Sequence, residues 1–514
     1  MLADLHPSFE VYTNALTRYQ QTPNLYGAEI ATLINEWASN FTDYNQLLDI
    51  IHRSDKLTRV FESGQENSPF VREHFGKFPS WKDWPTLPLS DEECARVADR
   101  LIGVGMKPDD KVRLNLSAFN GAIGTHLLAR VINESTDFIV MFHDVGFSRM
   151  IMNQMNEDQA RMLGEYDLAR IDLLTRAFVS IADEMVVPFD PAPQNVRDVY
   201  SKIYSQARNN GNNGKVFFNL THPPTPGEAE QENIPYDQFV KLFVDMCDQP
   251  WDAISAAQLH LIDKLNAGKH IRFTNNLGTD VSMDLVDDDG RSFTFCNSLI
   301  ARNLPGSEAF SAPRRTSVNG TIVSRGTFAA PTNPFGVIEN LTLHFKDGHL
   351  HDFTADKGGA DFQAFLDRDP NNRYVGELGI GTNPHLKKHL RNILLTEKIG
   401  GSFHLALGDA YTLTNYLGTE VHVNNGNKSG DHWDITTMLH GYEGNIDLDG
   451  ARIMENGVFL DPKLDVLNRG WAAIPREQRP DRWKDDTAPF TDARLNEQEA
   501  GSPSRRAQQP TLNI

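Results

Sequence analysis

The sequence predicts an α/β N-terminal domain with an open parallel sheet, followed by an α+β C-terminal domain rich in antiparallel β-strands. Three observations carry this expectation. Helix-like and strand-like segments alternate between Ser90 and Leu220. From Lys269 onward the texture changes to short strands of alternating polar and apolar residues, separated by turns. At 514 residues the chain is also too long for one ordinary core.

Residues 1–89 read as a helical N-terminal extension. Phe9, Tyr12, Leu16 and Tyr19 recur at helical spacing, as do Ile30, Leu33, Ile34 and Trp37. Ser68-Pro69 and the stretch from Pro79 to Pro88 break the pattern. Aromatic stripes of this kind serve packing, so the extension is expected to lie over the next domain.

Residues 90–267 form the expected α/β domain. Ser90-Asp91-Glu92-Glu93 has the capping-box form, in which Ser and Glu satisfy two free N–H groups reciprocally. Cys94, Val97, Ala98, Leu101 and Ile102 then make one apolar helix face, which Gly103 and Gly105 end. Val112, Leu114 and Leu116 alternate as a strand, Gly121 to Glu134 is a helix, and Phe138 to Phe142 is a continuous apolar strand. Such a strand–helix–strand unit implies parallel pairing. A helix from Gln159 to Ala182, a strand from Glu184 to Pro188, a helix from Gln194 to Gln206 and a strand from Lys215 to Leu220 continue the alternation. Pro223 to Gly227 reads as a break. Helices from Tyr236 to Asp245 and from Ala253 to Asn266 are expected to connect the two domains.

Residues 268–489 form the expected β-rich domain. Ile271 to Thr274, Val281 to Leu285, Gly320 to Val323 and Leu341 to Phe345 are its clearest strands. Pro384 to Leu395 is expected to be a helix with Lys387, Lys388, His389 and Arg391 facing outward. Residues 490–514 read as a polar tail.

Composition excludes several classes of function. The net charge of −20 argues against a nucleic-acid or anionic-membrane binder. Cys94, Cys247 and Cys296 are odd in number and far apart, so neither a disulfide framework nor a zinc ribbon is expected. They fit reduced core residues of a cytoplasmic protein. The first residues show no basic segment followed by an apolar run, and no signal peptide is expected. No apolar run approaches the roughly 20 residues that cross a bilayer. The turn from Ser117 to Gly124 lacks both G-x-G-x-x-G and a phosphate-binding Lys-Ser/Thr. His143-Asp144, at a strand end, fits a hydrogen-bonded turn better than a site. No G-x-S-x-G is present, and no cysteine stands in a nucleophile setting.

Four segments carry chemistry. Glu308 follows Pro305-Gly306-Ser307. Glu377 lies in Gly376-Glu377-Leu378-Gly379. Glu397 and His404 bracket Lys398 to Phe403, with Tyr411 downstream. His432-Trp433-Asp434 puts an imidazole and a carboxylate on one face of an extended strand. Carboxylate and imidazole without thiolate is the ligand set of hard or borderline divalent cations. Two ions roughly 3.5–4 Å apart need a bridging carboxylate and ligands on each side. Glu308, Glu377, Glu397, His404, His432 and Asp434 supply that number, and peptide-bond hydrolysis is the chemistry such a pair performs.

These segments, in this order, resemble the thermophilic-type metallo-aminopeptidases, the aminopeptidase T and aminopeptidase S family. The likeness runs over roughly residues 90 to 480 and includes Ser317 to Gly320 and Arg452 to Phe459. The resemblance implies an α/β domain and a β-rich domain holding two divalent metal ions (Zn, Co or Mn), in a homodimer enclosing a cavity. It implies a peptide or small amide substrate cleaved at its N-terminal residue. By matching motifs, Glu308, Glu377, Glu397, His404, His432 and Asp434 are the metal-binding set, and Glu377 and Tyr411 the catalytic residues; either Glu377 or Glu397 would serve as the base. The chain departs from the pattern in residues 1–89, in an enlarged loop from Asn209 to Glu232, and at Ser307, where glycine is expected. Two other readings compete. His404, His432 and Asp434 could hold a single iron, as in ring-cleaving dioxygenases that look like relatives of this family. Alternatively, the glutamates only stabilise turns of a non-enzymatic scaffold.

Overall fold

The computed structural model describes residues 89–491, except 103–105, 108, 117–120, 135–136, 143–151, 181–192, 194, 201, 204–216, 300–302 and 332–335. The expected N-terminal helices, His143-Asp144, the strand from Glu184 to Pro188 and nearly all of the polar tail therefore lie outside the described residues. The architecture is mixed α/β with a large antiparallel sheet.

Helix α1 (Asp91–Ile102) opens with the capping box read from sequence: Ser90 N donates to Glu93 at 2.9 Å, and Glu93 N donates to Ser90 Oγ at 3.3 Å. Strand β1 (Lys111–Leu116), helix α2 (Gly121–Glu134) and strand β2 (Asp137–Phe142) follow, with β1 and β2 parallel. Helix α3 (Glu157–Asp172) is shorter than expected. Its supposed C-terminal part is strand β3 (Arg176–Ser180), parallel to β1. A short apolar run fits either helix or strand by periodicity. Here pairing decides, because Thr175 docks beside β1: Lys111 N donates to Thr175 Oγ1 at 2.8 Å, and Thr175 N to Lys111 O at 3.0 Å. Strand β4 (Phe217–Thr221) pairs parallel with β3.

The expected break at Pro223 to Gly227 is the start of helix α4 (Pro226–Glu232). Thr225 and Glu228 form a capping box there, and Pro226 occupies the first turn, where a missing N–H costs nothing. Helices α5 (Tyr236–Cys247) and α6 (Trp251–Ala267) are more than connections. Phe239, Leu242 and Phe243 of α5 are buried in one core with α1, α2 and β1, whereas Ile254, Leu261 and Leu265 of α6 are buried among the antiparallel strands.

Strands β5 (His270–Thr274), β6 (Asp280–Asp284), β10 (Asn319–Ala329), β11 (Val337–Lys346), β12 (His349–Lys357), β18 (Asn445–Leu448), β19 (Ala451–Glu455) and β20 (Val458–Phe459) make an eight-stranded sheet. A second antiparallel sheet orders β17 (His432–Met438), β14 (Ser402–Gly408), β13 (Val375–Gly381), β9 (Glu308–Ser311) and β7 (Cys296–Ser298). The two sheets share one core, in which Phe273 of β5 stacks on Phe403 of β14 at 4.1 Å. Between β7 and β9, strand β8 (Asn303–Leu304) leaves this sheet and pairs parallel with β4. The hairpin of β15 (Leu413–Tyr416) and β16 (Thr419–Val423) packs beside β7, where the Tyr416 hydroxyl donates to Asn297 O at 2.8 Å.

The expected helix from Pro384 to Leu395 is not formed; only helix α7 (Ile393–Thr396) is helical there. The backbone instead pairs with a distant segment: Phe490 N donates to His385 O at 2.7 Å and Lys387 N to Phe490 O at 3.0 Å. Nor do its basic side chains form an outward face. Lys387 Nζ donates to Gly400 O at 2.7 Å, Arg391 donates to Gly336 O at 3.1 Å, and His389 meets the Phe328 ring edge-on.

Candidate metal centre

Period-two alternation builds the site. In β13, Leu378 and Ile380 enter the core, which puts Glu377, Gly379 and Gly381 on the other face. In β14, Phe403, Leu405 and Leu407 are core residues, and His404 and Ala406 share the opposite face. In β17, Trp433 and Ile435 are core residues, and His432 and Asp434 face the other way. The register aligns the three strands: Glu377 pairs with Ala406, Ala406 with Asp434, and Gly379 with His404. Glu308 of β9 stands opposite Gly381. One sheet face thus carries three carboxylates and two imidazoles, interleaved with glycine and alanine that leave room between them. A Cβ on Gly379 would fall 2.0 Å from His404 Cε1.

The distances are short. His432 Nε2 lies 3.1 Å from Glu377 and 3.6 Å from Asp434. His404 Nε2 lies 3.6 Å from Glu308 and 3.7 Å from Glu377. Donor atoms of Glu377, His432 and Asp434 all lie within 4.8 Å of one another, an arrangement able to hold a metal ion. His432 Nδ1 is 2.8 Å from the Asp409 carbonyl, so Nδ1–H donates there and Nε2 faces the carboxylates. Glu397, at the C-terminal end of α7, reaches the group through Lys398. The Lys398 ammonium is completely buried and lies 2.7 Å from both Glu308 and Glu397. Tyr411 stacks at a tilt beside His432, with ring centres 5.4 Å apart.

Ser307 accounts for the backbone before Glu308. Its φ of 99° is left-handed, the region that favours glycine. The serine is held there by a 2.7 Å bond between its hydroxyl and that of Thr382, and by donation of its N–H to Ser298 O.

Electrostatics reflect the crowding. Burial opposes ionisation of Glu377, but the flanking imidazoles of His404 and His432 overcome it and hold the carboxyl at about 2. Burial and Glu397 push Asp434 up to about 8. Burial alone would lower the histidines, yet the carboxylates raise His404 to about 9 and His432 to about 10. Without a cation, protons on the imidazoles and the Lys398 ammonium must balance the carboxylates. Glu308 Oε2, His404 Nδ1 and Asp434 Oδ1 are buried without a hydrogen-bond partner. Such groups cost about 1–3 kcal/mol each unless something else engages them. Oxygen and nitrogen donors with unmet demand, packed on one face, fit a divalent cation.

The structure therefore brings Glu308, Glu377, His404, His432 and Asp434 together directly and ties Glu397 to them. Sequence reasoning missed Lys398, because a lysine next to a glutamate ordinarily reads as a surface pair. It also missed the spacer role of Gly379, Gly381 and Ala406, although their alternation with core residues was a usable signal.

A mixed α/β chain with a buried carboxylate–imidazole cluster on an antiparallel sheet defines a class of metal-site protein. Residues 91–459 match the family described as thermophilic metalloprotease (M29), and the chain belongs to that family. It is 27% identical over 287 residues to aminopeptidase AmpS of Bacillus subtilis (strain 168), covering 50% of this chain and 64% of that protein. It is 38% identical over 114 residues to aminopeptidase 2 of Geobacillus stearothermophilus, covering 21% of this chain and 26% of that one. These matches span less than two thirds of the relatives' own length. The fold is similar to that of wild-type AmpT from Thermus thermophilus, with a TM-score of 0.59 and 19% identity over 72% of this chain and 99% of that one.

Proposed function

We propose that this chain is a metal-dependent aminopeptidase that removes N-terminal residues from peptides with a water activated by two divalent ions. The observation that carries the reading is the convergence of Glu308, Glu377, His404, His432 and Asp434 on one sheet face, in a chain of a metalloprotease family. Glu308, Glu377, His404, His432 and Asp434 would hold the ions, with Glu377 between the two imidazoles, and Glu397 is kept for proton transfer. Zinc, cobalt or manganese in that position supplies Lewis acidity, polarising a carbonyl and lowering the pKa of water.

The chain's own residues do the rest. Lys398 holds one oxygen each of Glu308 and Glu397. Glu397 serves as the base that takes a proton from water and returns it to the leaving amine, since Glu377 is engaged by both imidazoles. Tyr411 keeps its proton, because the negative charge of Glu377 and burial raise its pKa well above the usual phenol range. Its O–H can therefore donate to the oxygen that gains charge during carbonyl attack. The apolar face behind the sheet keeps water from the other side of the ligands. Five donors exceed the two-histidine, one-carboxylate set of a single-iron oxygenase, which favours hydrolysis. The reading includes a homodimeric, cytoplasmic protein; among the described residues no helix is long and apolar enough to cross a membrane.

Metal content per chain, combined with a panel of aminoacyl-p-nitroanilides with and without chelator, tests the proposal. The expected result is about two ions per chain and chelator-sensitive release of p-nitroaniline. A single iron, or cleavage indifferent to chelator in a metal-free sample, would sink it.

A further inference from the structure

We propose that a small cavity beside Glu377 receives the side chain of the substrate's N-terminal residue and selects side chains no larger than one benzene-sized ring. The inference rests on the aminopeptidase reading of the same site. The cavity holds about 150 Å³, and Glu308, Glu377 and Tyr411 are among the residues lining it. A peptide with its first carbonyl at the carboxylate–imidazole cluster therefore has its first side chain within reach of this space.

Part of the wall is apolar and stiff. Phe310, Leu413 and Tyr416 line it and belong to one buried cluster with Val421 and Val423. Tyr416 is fixed at both ends: its hydroxyl donates to Asn297 O at 2.8 Å, and its ring meets Phe310 at 78° with centres 5.6 Å apart. Phe218 of β4 and Asn303 of β8 also line it, so the parallel sheet contributes to the wall. Ser298, only 2% exposed, presents a hydroxyl without a hydrogen-bond partner, which suits the substrate's ammonium group.

Size sets the selectivity. A cavity of about 150 Å³ has room for benzene, so leucine, methionine or a phenylalanine ring fits and an indole overfills it.

The test uses the full-length, metal-loaded protein with leucine, phenylalanine and tryptophan p-nitroanilides, beside Leu413→Ala and Phe218→Ala. Binding of leucinamide and tryptophanamide is measured by calorimetry in parallel. The wild type should prefer leucine over tryptophan by about tenfold or more in kcat/KM, the discrimination a few methylene-sized contacts provide. Leu413→Ala, or Phe218→Ala should the first variant not fold, should shrink the leucine-to-tryptophan ratio about fivefold or more. Equal cleavage of leucine and tryptophan substrates, or a folded enlarged variant with an unchanged ratio, overturns the assignment while leaving the aminopeptidase reading intact. If no anilide is cleaved but leucinamide still binds more tightly than tryptophanamide, and Leu413→Ala erases that difference, the cavity assignment stands and the aminopeptidase reading falls. Equal binding without cleavage removes both.

Discussion

Lys398 and Glu308 form a buried ion pair at 2.7 Å, and the same ammonium, with no exposed surface, also reaches Glu397 at 2.7 Å. Removing one partner of a buried pair leaves an uncompensated charge and costs about 3–5 kcal/mol. Lys398→Met should therefore destabilise the metal-free protein by roughly that amount, read as a lower denaturant midpoint. Added divalent metal should recover part of the loss, because a cation can replace the missing ammonium. A variant as stable as wild type would show that the pair contributes nothing net.

Gly379→Ala should damage the site without changing any candidate ligand. The new methyl carbon would lie 2.0 Å from His404 Cε1 and 2.1 Å from Nε2, so the ring must turn away. Displacing a ligand's orientation typically costs about 10–100-fold in metal affinity. Metal titration against the wild type measures this, and an unchanged affinity would contradict the placement of His404 against β13.

Metal binding should release protons. His404 and His432, held at about 9 and about 10 by neighbouring carboxylates against the opposing effect of burial, are protonated at neutral pH in the metal-free protein. A ligating imidazole nitrogen must be free of its proton, so affinity should rise as pH rises from 6 to 9. Calorimetry in buffers of different ionisation enthalpy should report about one or more protons released per ion bound. Affinity independent of pH across that range would remove the histidines from the ligand set.

Lys387 should make stability depend on pH. Burial pushes its ammonium down to about 7, and its nitrogen donates to the Gly400 carbonyl. In the unfolded chain a lysine keeps its proton up to about 10.4. Between these values the unfolded state binds more protons, so this group makes stability rise with pH through that window and level off below it. The contribution is about 2 kcal/mol between pH 7 and 9. Urea denaturation at several pH values should show the rise, and Lys387→Met should flatten it.

Much of the framework could be read from residue order. The capping box at Ser90, the strand at Val112 to Leu116 and the helix from Gly121 to Glu134 are local devices, and each has a structural counterpart. The failures were non-local. Apolar residues at Leu386, Leu390 and Leu395 mimic a helical face, yet that backbone pairs with Phe490, and the three leucines enter the core that also holds α1 and α2. The run at Ala177 to Ser180 looked like the end of a helix until β1 offered it parallel hydrogen bonds.

The sequence by itself determined the chemical inventory: carboxylates and imidazoles spaced by small residues, with period-two apolar partners that commit them to strands. Only the tertiary structure decided that Glu308 joins Glu377, that Ala406 separates Glu377 from Asp434, and that Lys398 turns inward. Strand register carries the reason. Moving one strand by a single residue sends every side chain on it to the opposite face, and the pairing that sets this register joins segments far apart in the chain.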